Sequence, residues 1–146
     1  MATYVDTSAL AKWYLNEAFS EEVEAFLASV LPASISPLVK LEMRSLLARR
    51  RREGSVEPAL ENRILAVFEN DVVSGHLSLL PARAEHFPLA ETLIGALPGV
   101  PLRTLDALHL AIAKAEGVDL LATADIVMMH AAEHLGIPCR YFGVLP

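Results

Sequence analysis

Five short β-prone runs, each separated from the next by one or two stretches of helical periodicity, leave this chain few folds to choose from. The runs are Thr3-Tyr4-Val5-Asp6, Ala33-Ser34-Ile35-Ser36, Leu77 to Leu80, Leu120-Leu121-Ala122-Thr123 and Cys139-Arg140-Tyr141-Phe142. Between the first two, Ser8 to Leu15 and Glu21 to Val30 read as helices, the second with Val23, Phe26, Leu27 and Val30 at helical spacing. Ser36-Pro37 is a helix start, a capping residue followed by proline in the first turn, and that helix runs to Arg49–Arg52 and stops near Gly54. Val56, Leu60, Ile64, Val67 and Phe68 mark the next, ending near Gly75. Glu85 to Leu97 follows, with Pro88 in its early turns. Thr104 is placed to cap a helix from Leu105 to Ala115 that is apolar almost all round, as a buried helix should be. Ile126 to Leu135 forms the last helix, closed by Gly136. Strands alternating with helices in this way imply an α/β fold of three layers, a central parallel sheet of about five strands with helices on both faces. With no repeat, linker or low-complexity tract, residues 1–146 read as a single domain.

Composition narrows the function classes. More than half the residues are apolar (53%) and the mean hydropathy is +0.40, yet charges interrupt every apolar stretch before the roughly 18 residues of a membrane span. No basic segment followed by an apolar block opens the chain, and the lone Cys139 has no internal disulfide partner, so a cytoplasmic protein is expected. The surplus apolar character suggests a partner surface. A formal charge of −6 argues against a general nucleic-acid-binding module but not against a metal nuclease, because two bound divalent cations would offset most of it.

The acids are unevenly chosen. Glu outnumbers Asp thirteen to five, and three of the scarce Asp stand at strand ends or a helix start: Asp6, Asp106 and Asp125. In an open parallel sheet, ligands bind outside the carboxyl ends of the strands near the topological switch point. Asp6 closes the first strand and Asp125 lies two residues beyond the fourth. Asp106 is in the first turn of the apolar helix, and Glu42 lies early in the Pro37 helix. Asp6 and Asp125 would serve equally well as helix caps, and Asp106 is favoured by the helix dipole. Glu42 is harder to explain structurally: Leu38, Glu42 and Leu46 fall on one stripe expected to point inward, where a carboxylate needs an Arg, a Lys or a metal. Four such oxygen donors suit Mg²⁺ or Mn²⁺, and a pair of those ions hydrolyses phosphodiesters without a nucleophilic side chain.

The sequence resembles a PIN domain of the VapC toxin type over nearly its whole length. The resemblance rests on Tyr4-Val5-Asp6-Thr7-Ser8-Ala9-Leu10, Leu41-Glu42, Leu102-Arg103-Thr104-Leu105-Asp106-Ala107-Leu108-His109-Leu110-Ala111 and Leu120-Leu121-Ala122-Thr123-Ala124-Asp125, in that order. Ala131-Ala132-Glu133-His134-Leu135-Gly136-Ile137 fits as well. It implies a Mg²⁺- or Mn²⁺-dependent endoribonuclease that leaves a 5′-phosphate and a 3′-hydroxyl. Asp6 and Asp106 would be direct metal ligands, with Glu42 and Asp125 ligands directly or through water. Ser8 and Thr123 match small hydroxyl positions that support the acids or a coordinated water. The resemblance further implies a homodimer and a cognate antitoxin that neutralises the toxin, often by placing a basic side chain in the acidic site. One departure is Ile126, where many relatives carry a basic residue, which removes a nearby phosphate contact.

Other features weigh less. Arg103, three residues before Asp106, is close enough to the site to touch substrate. Arg49–Arg52 is most simply a solvated helix end, and His130 with His134 lacks a third clustered ligand for zinc. His109 is expected to pack, hydrogen-bonded, within its helix. A haloacid-dehalogenase-like phosphatase would want an Asp where this chain has Ser8, and a response-regulator receiver an acidic pair after its first strand. The remaining rival is a PIN-like module that binds RNA or protein without cleaving.

Overall fold

The computed structural model describes residues 1–146. Its elements are β1 (Thr3–Val5), α1 (Thr7–Tyr14), α2 (Ser20–Val30), β2 (Ala33–Ile35), α3 (Pro37–Arg52), α4 (Pro58–Val73), β3 (Leu77–Leu79), α5 (His86–Ala96), α6 (Thr104–Ala115), β4 (Leu120–Thr123), α7 (Ile126–Leu135) and β5 (Cys139–Tyr141). The five strands form one parallel sheet in the order β3-β2-β1-β4-β5. Tyr4 pairs with Ser34 on one side and with Leu121 on the other, so the first strand of the sequence is the middle strand of the sheet. The chain leaves β1 in one direction to build β2 and β3, then returns to build β4 and β5 on its other side. The switch point therefore lies between β1 and β4, and Asp6 stands at it, its amide continuing the ladder to the Ala122 carbonyl at 3.1 Å.

Successive side chains of a strand point to opposite faces, so a strand buried throughout is covered on both. Thr3, Tyr4 and Val5 are all buried, as are Leu121, Ala122 and Thr123. The core continues into α6, where Ala107 through Ala113 are buried without interruption, as the apolar sequence of that helix required. No helix is long and apolar enough to cross a membrane.

Three local expectations need correction. The buried stripe of α3 is Val39, Met43 and Leu47, one residue along from Leu38, Glu42 and Leu46, which are only partly buried. Ser36 precedes α3 but makes no side-chain cap; its hydroxyl lies 2.8 Å from that of Tyr4 instead. Thr104 is the first residue of α6 rather than its cap, and the Arg103 amide that a cap would leave exposed donates to Asp106 Oδ2 at 3.3 Å.

Candidate active site

Four elements meet at the carboxyl edge of the sheet, and each delivers one acid. Asp6 follows β1, Asp125 follows β4, Asp106 sits in the first turn of α6, and Glu42 lies on α3 beside the buried stripe. All four line one cavity of about 510 Å³, together with Ser8 and Arg103. Thr123 is not part of the wall; it lies fully buried behind Asp6.

Asp6 is held more tightly than a simple cap. Its Oδ1 accepts from the Ala9 amide at 3.1 Å, which begins α1, and from the Ser8 hydroxyl at 2.6 Å. Its Oδ2 accepts from the Thr123 hydroxyl. Ser8 Oγ in turn accepts from the Ala124 amide, and Thr123 Oγ1 from the Asp125 amide. The two hydroxyls thus tie the acid after β1 to the loop after β4. Capping and site-building coincide here: Asp125 also caps its helix, its Oδ1 accepting from the Val127 amide at 2.8 Å.

The electrostatics are not balanced by protein alone. Burial raises the Asp6 carboxyl above the usual range, and His109, Ser8, Thr123 and the Ala9 amide only partly oppose it. Burial also raises Asp106, and the charge of Asp125 adds to the effect against the Arg103 amide and guanidinium. Arg103 stands over these two acids, Nε 3.5 Å from Asp106 and Nη2 3.9 Å from Asp125, with its side chain 80% exposed. Glu42 behaves differently. Burial alone would raise it, but His109, Thr7 and Arg103 together hold it below the ordinary carboxylate range.

The protein partners of Glu42 include a histidine, which the sequence reading does not pair with it. His109 Nε2 and the Thr7 hydroxyl both bond Glu42 Oε1, the latter at 2.9 Å. His109 is buried and hydrogen-bonded as expected, but it packs into the wall of the cavity. Its spacing from Asp106, three residues on one helix, was the available signal. Arg49 lines the cavity too and lies 3.9 Å from Glu53 on the next turn, while Arg50 and Arg51 pair with Glu17 and Glu61.

A hard divalent cation fits this donor set. Every acidic donor is a carboxylate oxygen, and two of the four are disfavoured as anions without added positive charge. No three of the His, Cys, Asp and Glu side chains stand close enough to hold one ion by themselves. Mg²⁺ commonly takes only one or two carboxylates and completes its shell with water and substrate phosphate.

Comparison with known proteins decides the family: the model of the PIN domain matches residues 3–133. This chain belongs to the PIN domain family. Among PIN domain proteins it is 37% identical over 139 residues to Ribonuclease VapC46 of Mycobacterium tuberculosis (strain ATCC 25618 / H37Rv), covering 93% of this chain and 94% of that one. The fold is shared with Mycobacterium tuberculosis VapC20, a sarcin-ricin loop cleaving toxin, at a TM-score of 0.65 and 20% identity over 89% of this chain and 95% of that one. It is shared also with a toxin-antitoxin complex from Klebsiella pneumoniae, at a TM-score of 0.57 and 18% identity over 100% of this chain and 98% of that one.

Proposed function

We propose that this PIN domain, acting as one unit over residues 1–146, is a Mg²⁺- or Mn²⁺-dependent endoribonuclease. It serves in the cytoplasm as the toxin of a toxin–antitoxin pair. The observation that carries the proposal is the delivery of Asp6, Glu42, Asp106 and Asp125 by four separate elements into one cavity. The similarity to a named VapC ribonuclease over nearly the whole chain supports the substrate class and the toxin role.

Asp6 and Asp106 would hold the cation directly, and Glu42 and Asp125 directly or through water. The bound ions would supply charge neutralisation at the phosphate and activation of the attacking water. Water adds to phosphorus, the bond from phosphorus to the 3′ oxygen breaks, and that oxygen takes up a proton. The products are a 5′-phosphate and a 3′-hydroxyl. Ser8 and Thr123 fix Asp6 by donating one hydrogen bond to each of its oxygens. Arg103, exposed at the rim, leaves its two acids to meet a substrate phosphate, for which its planar guanidinium is suited.

A cognate antitoxin would silence the site by presenting a basic side chain to the same acids. The exposed Leu41 and Leu105 at the cavity mouth give it apolar contact. Phe87 and Ile94, on one face of α5, support a homodimer.

The test is cleavage of a mixed RNA pool by antitoxin-free protein with Mg²⁺, with Mn²⁺ and with EDTA, alongside Asp6→Asn and Asp106→Asn. Metal-dependent cutting, lost in both variants and leaving 5′-phosphate ends, is expected. RNA binding without cutting under any of these conditions would assign the chain to the non-cleaving binding modules.

A further inference from the structure

His109 belongs to a connected run of side chains that crosses the base of the cavity. Ser36 Oγ lies 2.8 Å from Tyr4 Oη, Tyr4 Oη lies 2.7 Å from His109 Nδ1, and His109 Nε2 bonds Glu42 Oε1. The members come from the junction of β2 with α3, from β1, from α6 and from α3, and Ser36, Tyr4 and His109 are all buried. Tyr4 stands two residues before Asp6 on β1, and His109 three residues after Asp106 on α6. The run thus ends on one acid, Glu42, and has a member within three residues of two others. A histidine in the midst of Leu108, Leu110 and Ile112 has no packing advantage over leucine. What it adds is two directed ring nitrogens, both of them used.

The pattern of protons is constrained. Burial keeps the Tyr4 phenol protonated, so it always has one hydrogen to give. If the imidazole is neutral, Tyr4 donates to Nδ1 and Ser36 donates to Tyr4; if it is charged, both bonds reverse. In either state Nε2 keeps its hydrogen on Glu42. Glutamate reaches the cavity through three rotatable bonds, and a free carboxylate would sample many positions. Here Thr7 and His109 converge on Oε1, and no protein donor reaches Oε2.

We propose that Ser36, Tyr4 and His109 are positioning residues for Glu42, pinning Oε1 so that Oε2 is presented to the cation or its water. This rests on the metal-dependent reaction proposed above, and it assigns these three side chains no contact with substrate. Ligand-orienting partners of this kind typically affect metal affinity by about 10–100-fold.

The experiment is a Mn²⁺ titration followed by the free-ion electron paramagnetic resonance signal, with apo melting temperature and RNA cleavage measured on the same samples. The variants are Tyr4→Phe, His109→Leu, His109→Gln and Glu42→Gln, the last also combined with Tyr4→Phe. His109→Leu should weaken Mn²⁺ binding about 10–100-fold and Tyr4→Phe several-fold. His109→Gln, which restores a donor near Glu42, should recover part of the loss. Tyr4→Phe should add nothing in the Glu42→Gln background. Tyr4→Phe keeps its ring in place, so it reports even if the His109 variants fold poorly. Wild-type binding and cleavage with an unchanged Mn²⁺ dissociation constant in Tyr4→Phe would reduce the run to a structural one and overturn the assignment. A wild-type protein that neither binds Mn²⁺ nor cleaves would overturn the proposed reaction itself, and the positioning role with it.

Discussion

Asp6→Asn exchanges a buried carboxylate for a neutral amide of the same shape, and its effect on stability is expected to change sign with the metal. Asp6 is 3% exposed. Burying an ion costs several kcal/mol, and the three donors to Asp6 recover about 1 kcal/mol each beyond what they would give a neutral acceptor. The amide keeps Ser8 and Ala9 as donors to its oxygen, and its nitrogen can donate to Thr123 Oγ1 if that hydroxyl turns toward Ser8, 3.2 Å away. The metal-free variant should therefore gain on the order of 1–2 kcal/mol, a common range when a strained functional group is relaxed. For a chain of this size that is about 3–6 °C in Tm. With Mg²⁺ at a hundred times its dissociation constant the wild type gains about 2.7 kcal/mol, which the variant forgoes, so the order inverts.

The sign with pH follows from the raised Asp6 carboxyl. Between the unfolded and folded pKa the folded chain binds the extra proton, so wild-type stability falls as pH rises through that window. The advantage of Asn should accordingly vanish at acid pH and grow as pH rises through that window. Calorimetric melts in EDTA and in Mg²⁺ at several pH values measure this. A variant that gains no stability relative to wild type in EDTA as pH rises would refute the reasoning, because the three donors would then outweigh burial.

Other outcomes follow from the same geometry. Arg103→Gln should raise KM for RNA and reduce the slope of log affinity against log salt by about 1, seen by titration at several ionic strengths, while leaving Tm nearly unchanged. Within the arginine block, Arg49→Ala should weaken RNA binding, whereas Arg50→Ala, whose partner is Glu17, should cost at most about 1 kcal/mol of stability and leave cleavage intact. Leu110→Ala, in the fully buried stretch of α6, should cost about 2–5 kcal/mol in denaturant melts yet preserve kcat per folded molecule.

The alternation of strands and helices was legible because each element carries its own periodicity, and α6 because no solvated face interrupts it. The edge at which Asp6 and Asp125 meet followed from their places after two strands. The rotation of α3 did not follow, since Leu38-Glu42-Leu46 and Val39-Met43-Leu47 are adjacent stripes of equal spacing and only tertiary packing chooses between them. The capping errors at Ser36 and Thr104 share a cause: local preference holds only where nothing better competes, and Ser36 finds Tyr4 while Asp106 takes the Arg103 amide. The bond from His109 to Glu42 joins residues 67 positions apart, beyond any local pattern.

The position of β1 in the middle of the sheet has a consequence for biosynthesis. A nascent chain that stops at Asp119 already carries Asp6, Glu42 and Asp106, but it lacks β4, so β1 is left with an open edge and Asp6 loses Thr123. We expect such a fragment to be without effect on RNA, and cleavage by it would show that the site closes without β4. On this view the order of synthesis is itself a safeguard: a chain interrupted before β4 lacks both the last acid, Asp125, and the strand that ties Asp6 in place.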